Sequence, residues 1–347
     1  MYKIDSNNKL KELKKLNLVA DIMQLKNFKN IFVICDSVIK EKYSHHKIFH
    51  SNFHIVSIDI PENSKNFKTV NYIINQLSEN NATRDTLLIG LGGGAITDIV
   101  GFVASIYMRG IDHIFIPTTL LSMVDASIGG KTGINFNNIK NLVGTFRNPA
   151  SIYIDIDFLN TLKQDNIIDG FAEIIKYGLI FDKGFFDDII QNFNSLVSLD
   201  NKEEIERIIF KAYQFKMKVV LEDQLDQNKR MVLNFGHTIG HALESIHVNL
   251  SHGQAIYGGM IIESFLSYKL NLLTLENFLK IKNLLYPMLN FSLSSINQNE
   301  ILKFIRYDKK QLRNSMHFVL LKDIGKTIIK TNIKDSTLED AINEVIK

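Results

Sequence analysis

Between Asn30 and Ile116 the apolar residues fall into short β-branched runs, NIFVIC (30–35), FHIVSI (53–58), TLLIGL (86–91) and HIFI (113–116). The intervening stretches Lys68 to Asn80 and Ala95 to Met108 have the length and apolar spacing of helices. Strands alternating with helices predict a parallel sheet covered by helices. From about Phe158 the pattern changes to long helical periods, at 168–180, 202–222, 238–246, 254–270 and 275–286. Pro149 follows a glycine-containing loop, and strand-like SIYIDID comes next, which places a boundary near 150–160. The chain therefore divides into an α/β domain over 1–155 and an all-α domain over 156–347. Two late strand-like segments, 318–321 and 327–329, form a small hairpin or rejoin the first sheet. There is no internal repeat and no low-complexity linker.

Composition narrows the class. With 347 residues, 45% of them hydrophobic, the chain is long enough for two cores. Lys and Arg total 40 against 37 Asp and Glu, and this interspersed net charge of +3 argues against a nucleic-acid surface or a membrane-coating patch. Tryptophan is absent, which weighs further against base stacking. One cysteine, Cys35, excludes an internal disulfide, and Met1 to Leu10 lacks the apolar stretch of a signal peptide, so the expected home is the reducing cytosol. No run of about 18 apolar residues predicts a transmembrane helix.

Three constellations carry chemistry. Gly90-Leu91-Gly92-Gly93-Gly94-Ala95 joins a strand to a helix, where backbone amides and the helix N-terminus suit a pyrophosphate; the spelling satisfies G-x-G-x-x-A. Asp36, at the end of another strand, suits a ribose hydroxyl, and the plainer alternative is a tight turn with Asp36 capping a helix. Next, His237 and His241 stand four apart on one helix face, with His252 and Glu173 elsewhere. Thr238 occupies the place of a zinc protease's glutamate, so H-E-x-x-H fails. Four ligand-type residues compete for three places, leaving one for acid/base or phosphate work. Finally, Arg109, Lys131, Lys140, Lys216, Arg230 and Lys309 lie near glycines or small residues and suit a carboxylate plus a phosphate, although any single one reads more simply as a solvated charge. Ala126 breaks the P-loop spelling before Gly130-Lys131-Thr132, which leaves Lys131 as a loop lysine.

Together these segments resemble the 3-dehydroquinate synthase family. The matching blocks are Pro61-Glu62-x-x-Lys65, GLGGGAITDIVGFVASIYMRG (90–110), IPTTLLSMVDASIGGKTGIN (116–135), KNLVGTF (140–146), GFAEIIKYGLI (170–180), LNFGHTIGHALE (233–244), SHGQAIYGGM (251–260) and DKK (308–310). The resemblance implies a Rossmann-like NAD-binding domain, a helical domain holding Zn2+ or Co2+, an active site in the cleft between them, and a homodimer. It implies Glu173, His237 and His252 as metal ligands. For NAD it points to Asp36, Glu62, Lys65, Gly92, Gly93, Gly94, Asp98, Thr118, Thr119, Asp125, Lys131, Lys140, Phe158, Thr161 and Leu162. Substrate contacts fall on Arg109, Asp125, Lys131, Asn141, Lys176, Lys216, Arg230, Asn234, His241 and Lys309, with Arg109 reaching across the dimer interface. The implied reaction converts 3-deoxy-D-arabino-heptulosonate 7-phosphate to 3-dehydroquinate and phosphate, with the cofactor regenerated in each turnover. Another sugar-phosphate cyclase would share most of these residues. A metal-dependent polyol dehydrogenase would instead release NADH, and a catalytically dead scaffold would have lost a ligand or a lysine.

Overall fold

The computed structural model describes residues 2–5, 10–12, 18–24, 28–59, 64–137, 139–247, 250–311, 317–331 and 333–346. Two compact units divide it, Met1–Lys163 and Gln164–Lys347.

In chain order the first unit comprises β1 (Tyr2–Asp5), β2 (Leu10–Glu12), α1 (Leu18–Gln24), β3 (Asn30–Asp36), α2 (Ser37–Lys42), β4 (His54–Ile58), α3 (Phe67–Glu79), β5 (Thr86–Gly92), α4 (Gly94–Ile106), β6 (Asp112–Pro117), β7 (Lys131–Phe136), β8 (Ile139–Phe146) and β9 (Ser151–Ile154). The main sheet runs β2-β1-β9-β6-β5-β3-β4. Its β9-β6-β5-β3-β4 portion is parallel, as the alternation of strands and helices predicts, while β1 joins β9 antiparallel. All seven residues of β5 are buried, as a strand covered on both faces must be. The hairpin β7–β8 lies outside this sheet, with Lys131 opposite Phe146 and Gly133 opposite Gly144. Lys131 therefore opens a strand, where the sequence reads as a loop.

The second unit comprises α5 (Gln164–Phe181), α6 (Lys183–Ser198), α7 (Lys202–Glu222), α8 (His237–Ile246), α9 (His252–Lys269), α10 (Leu275–Leu285), α11 (Gln298–Gln311), β10 (His317–Asp323), β11 (Lys326–Thr331) and α12 (Asp335–Ile346). Residues 253–267 of α9 are all buried, so this helix is wrapped on every side, by α5, α8, α10 and α12 among others. The unit is helical without being all-α. β10 and β11 pair antiparallel with each other, and the amide of Gly325 between them donates to Leu179 of α5 at 2.8 Å, which keeps the hairpin in this unit. Among the described residues no helix is long and apolar enough to cross a membrane.

Candidate functional site

In the second unit the middle of one helix meets the first residues of two others. Glu173 lies on α5, and His237 and His252 are the first residues of α8 and α9. Nε2 of His237 stands 3.4 Å from Glu173 Oε1, Nε2 of His252 stands 3.5 Å from the same oxygen, and one donor atom from each of the three lies within 4.8 Å of the others. Bonds to a tetrahedral zinc of about 2.1 Å would set neighbouring ligand atoms about 3.4 Å apart, so the spacing fits a divalent cation held by two imidazoles and a carboxylate. The tautomers suit this as well. His237 Nδ1 is 3.1 Å from the carbonyl of Phe235, which can only accept, so Nδ1 carries the hydrogen and Nε2 keeps its lone pair. His252 Nδ1 faces Glu244 Oε2 at 3.8 Å.

The electrostatics are divided. Glu173 is fully buried; Oε1 looks to the histidines while Oε2 meets the Lys176 ammonium, one turn along α5. Burial, with Lys176 adding to it, holds His237 well below the ordinary histidine range and so neutral. Burial also works to deprotonate His252, but the carboxylates of Glu173 and Glu244 outweigh it and push the imidazole up to about 10. A cation held at this point would take the place of that proton, because a ligating imidazole must be neutral. The His241 ring packs edge-on to His237, centroids 5.3 Å apart, and lies outside the ligand cluster.

Buried cations line the same unit. Lys216 on α7 and Arg230, in the short helical turn Lys229–Asn234, are each 4% exposed. Asp223, at the end of α7, accepts from the amides of Gln227, Asn228 and Arg230 at 2.8–3.0 Å and thereby shapes the loop that carries Arg230. Asn234 ends that turn exposed. Lys309 lies on α11, its side chain outside the described residues.

In the first unit the glycine turn sits where β5 passes into α4. Gly93 caps α4 without a side-chain hydrogen bond, and the amide of Thr118, just after β6, donates to Gly92 O at 3.0 Å. A Cβ at Gly93 would lie 3.1 Å from Thr119, and one at Gly94 3.1 Å from Ala126, so the loop carrying Thr118, Thr119 and half-buried Asp125 closes tightly on this turn. Backbone amides there suit a phosphate. Lys65 is buried and donates to Asp98 on α4 at 2.6 Å and to Asn141 on β8, while its carbonyl accepts from Asn135 at 2.7 Å. One cluster thus joins Lys65, Asp98 and Asn141. Asp36 stands at the end of β3, where its Oδ1 accepts from Val38 and caps α2; burial nonetheless raises its carboxyl. Lys131, Lys140 and Arg109 are exposed, Arg109 at a positive φ of 67°. The Phe158 ring is core, packed 4.8 Å from Tyr43, and the Thr161 carbonyl, just before Leu162, accepts from Lys42 at 2.9 Å. Glu62 lies outside the described residues.

Glu263 is absent from the residues the sequence singles out. It is fully buried in α9, and its oxygens accept from the amides of Gly236 and Ile239 at 2.7 and 3.1 Å. The signal was present in MIIESFL, a lone acid inside an otherwise apolar helical run.

Comparison with known proteins adds a family. Residues 55–169 match the family model described as 3-dehydroquinate synthase N-terminal and residues 170–311 the C-terminal one. The chain is 39% identical to a 3-dehydroquinate synthase of Alkaliphilus oremlandii over 91% of its own length and 88% of the relative's. It is also 39% identical to one of Thermodesulfovibrio yellowstonii over 95% and 94%. Among solved structures, a 2-epi-5-epi-valiolone synthase of Streptomyces hygroscopicus with NAD+ and Zn2+ bound superposes with a TM-score of 0.85 at 26% identity, covering 97% of this chain and 98% of the other. A 2-deoxy-scyllo-inosose synthase complexed with carbaglucose-6-phosphate, NAD+ and Co2+ shares the fold at 23% identity, a TM-score of 0.85 and coverage of 99% and 100%.

Proposed function

The chain belongs to the 3-dehydroquinate synthase family, and from that premise we propose that it converts 3-deoxy-D-arabino-heptulosonate 7-phosphate to 3-dehydroquinate and phosphate with the residues assembled above. It is an enzyme of the cyclase type, a carbon–oxygen lyase. The observation that carries the site assignment is the convergence of Glu173, His237 and His252, with both imidazoles 3.4–3.5 Å from one Glu173 oxygen and all three donor atoms within 4.8 Å of one another.

Glu173, His237 and His252 would hold Zn2+ or Co2+, and the glycine turn 92–94 with Asp36, Lys65, Asp98, Thr118, Thr119 and Asp125 would hold NAD. Bound there, the cation supplies Lewis acidity to the substrate's hydroxyls and NAD a hydride acceptor restored within the turnover. The chain's own side chains do the rest. Lys176 neutralises the outer oxygen of Glu173, leaving Oε1 to face the imidazoles. Buried Lys216 and Arg230, with Asn234, orient the anionic substrate; planar Arg230 suits a carboxylate bidentately. Lys131, Lys140, Asn141, Arg109 and Lys309 meet the phosphate, whose developing negative charge on departure they stabilise. His241, beside the ligands, contacts the phosphate or moves a proton.

The reading extends to a homodimer in the reducing cytosol. Ile106, Met108, Phe136, Ile139, Leu142 and Phe146 are large apolar side chains left exposed around the end of α4 and the β7–β8 hairpin, next to Arg109, and such a patch suits an interface. The single cysteine, buried Cys35, needs no oxidising compartment.

The test is phosphate release from the heptulosonate phosphate, with and without NAD and chelator, while NADH absorbance is followed. Release that requires both cofactors, with no NADH accumulating, is expected. Absence of release in the complete mixture overturns the substrate assignment, and accumulating NADH marks a dehydrogenase.

A further inference from the structure

α8 and α9 begin at the two histidine ligands, and the first amides of any helix have no partner inside it. Gly236 before α8 offers no side chain and sits at a φ of +78°. Its amide and those of Thr238 and Ile239 are taken by Glu263, which reaches across from the buried middle of α9. A lone carboxyl in that setting is expensive to ionise: burial pushes Glu263 up to about 8, and the three converging amides at the positive end of α8 offset only part of that cost. The first turn of α9 has a counterpart. Asp169 on α5 accepts from the Ser251 hydroxyl and from the amides of Gly253 and Gln254, the last at 3.2 Å.

We propose that Glu263 and Asp169 are positioning residues for the metal centre, Glu263 aiming His237 and Asp169 aiming His252 by fixing the first turn of the helix that each imidazole opens. The two carboxylates link all three ligand-bearing helices. Asp169, one turn before Glu173, ties α5 to α9, and Glu263 ties α9 to α8. A ligand at the first position of a helix inherits its direction from that turn, so loosening the turn moves the imidazole even where the helix body stays packed. This inference rests on reading Glu173, His237 and His252 as a metal centre.

The test is Co2+ binding to the metal-free protein, measured by chelator competition and by the visible absorption of the bound ion, with the melting temperature of the metal-free form recorded beside it. Glu263→Gln keeps the shape but turns an amide NH2 toward backbone donors. It is expected to weaken Co2+ binding by about 10- to 100-fold and to alter the absorption bands, as is Asp169→Ala. Ile262→Ala, which only removes core volume from α9, is expected to lower the melting temperature and leave Co2+ affinity unchanged. Wild-type affinity in both Glu263→Gln and Asp169→Ala overturns the proposal, as does an equal loss in Ile262→Ala. Should Glu263→Gln fail to fold, Asp169→Ala decides alone. His237→Ala separates the two readings: if it binds Co2+ as wild type does, the metal centre itself is wrong, whereas loss in His237→Ala with no change in the two carboxylate variants overturns positioning only.

Discussion

Glu173 divides its two oxygens between unlike tasks, one facing two imidazoles and the other Lys176. Glu173→Gln removes the charge that both depend on. It is expected to weaken metal binding by at least about 100-fold while leaving NAD binding by the first unit unchanged, as metal analysis after dialysis and an NAD titration would show. Asp223 yields a pH prediction. Amide donors, Arg230 first and then Gln227 and Asn228, hold its carboxyl at about 2, below the ordinary 3.8. Because the folded form binds this proton less readily than the unfolded chain, Asp223 contributes its stabilisation in full above about pH 4 and loses it as the pH falls toward 2. The carboxyl carbon shift of Asp223 is expected to titrate near 2 in the folded protein, and a midpoint near 4 would remove the cap from the account of the Arg230 loop. Residue type and spacing singled out Glu173, His237, His241 and His252 as four candidates for three ligand places, because metal ligands come from few residue types, and it was the family resemblance that pointed to Glu173, His237 and His252. The caps from Asp169 and Glu263 were not legible, since a carboxylate that binds amides 24 to 85 residues away has no spacing rule.

At the scale of elements, α8 and α9 approach so closely that glycine is required. A Cβ on Gly259 would lie 1.9 Å from the carbonyl oxygen of Gly236 and 2.8 Å from the amide nitrogen of Gly240. Gly259→Ala must therefore push the helices apart, and the overpacking is expected to cost about 1–3 kcal/mol or more and to weaken metal binding with it. Urea unfolding and Co2+ titration check this, and unchanged values in both would refute the close contact. Helices and parallel strands were readable from periodicity because each buries a regular face. The β7–β8 hairpin was not. Gly133 faces Gly144, and β8 exposes Ile139, Leu142 and Phe146, so neither strand shows a clean alternation of buried and exposed residues. Packing against α4 supports the hairpin instead, where a Cβ on Gly101 would meet Thr132 at 2.4 Å.

For the whole molecule, the exposed apolar patch predicts self-association. Light scattering is expected to give a dimer, and Ile106→Glu combined with Leu142→Glu to shift it toward monomer; a dimer unaffected by both charges would place the interface elsewhere. By itself the sequence determined the class of each half, the order of the blocks that mark the family, and the residue types able to hold a metal and an anion, because these depend on local periodicity and on side-chain chemistry. The family resemblance implied Glu173, His237 and His252 as ligands and set His241 apart, but only the tertiary structure brings these three, up to 79 positions apart in sequence, to one point, and only it shows that Glu263 and Asp169 hold the helix ends on which that point is built. The reason is physical: distances between atoms far apart in sequence are set by how whole helices pack, and packing is a property of all the buried side chains together.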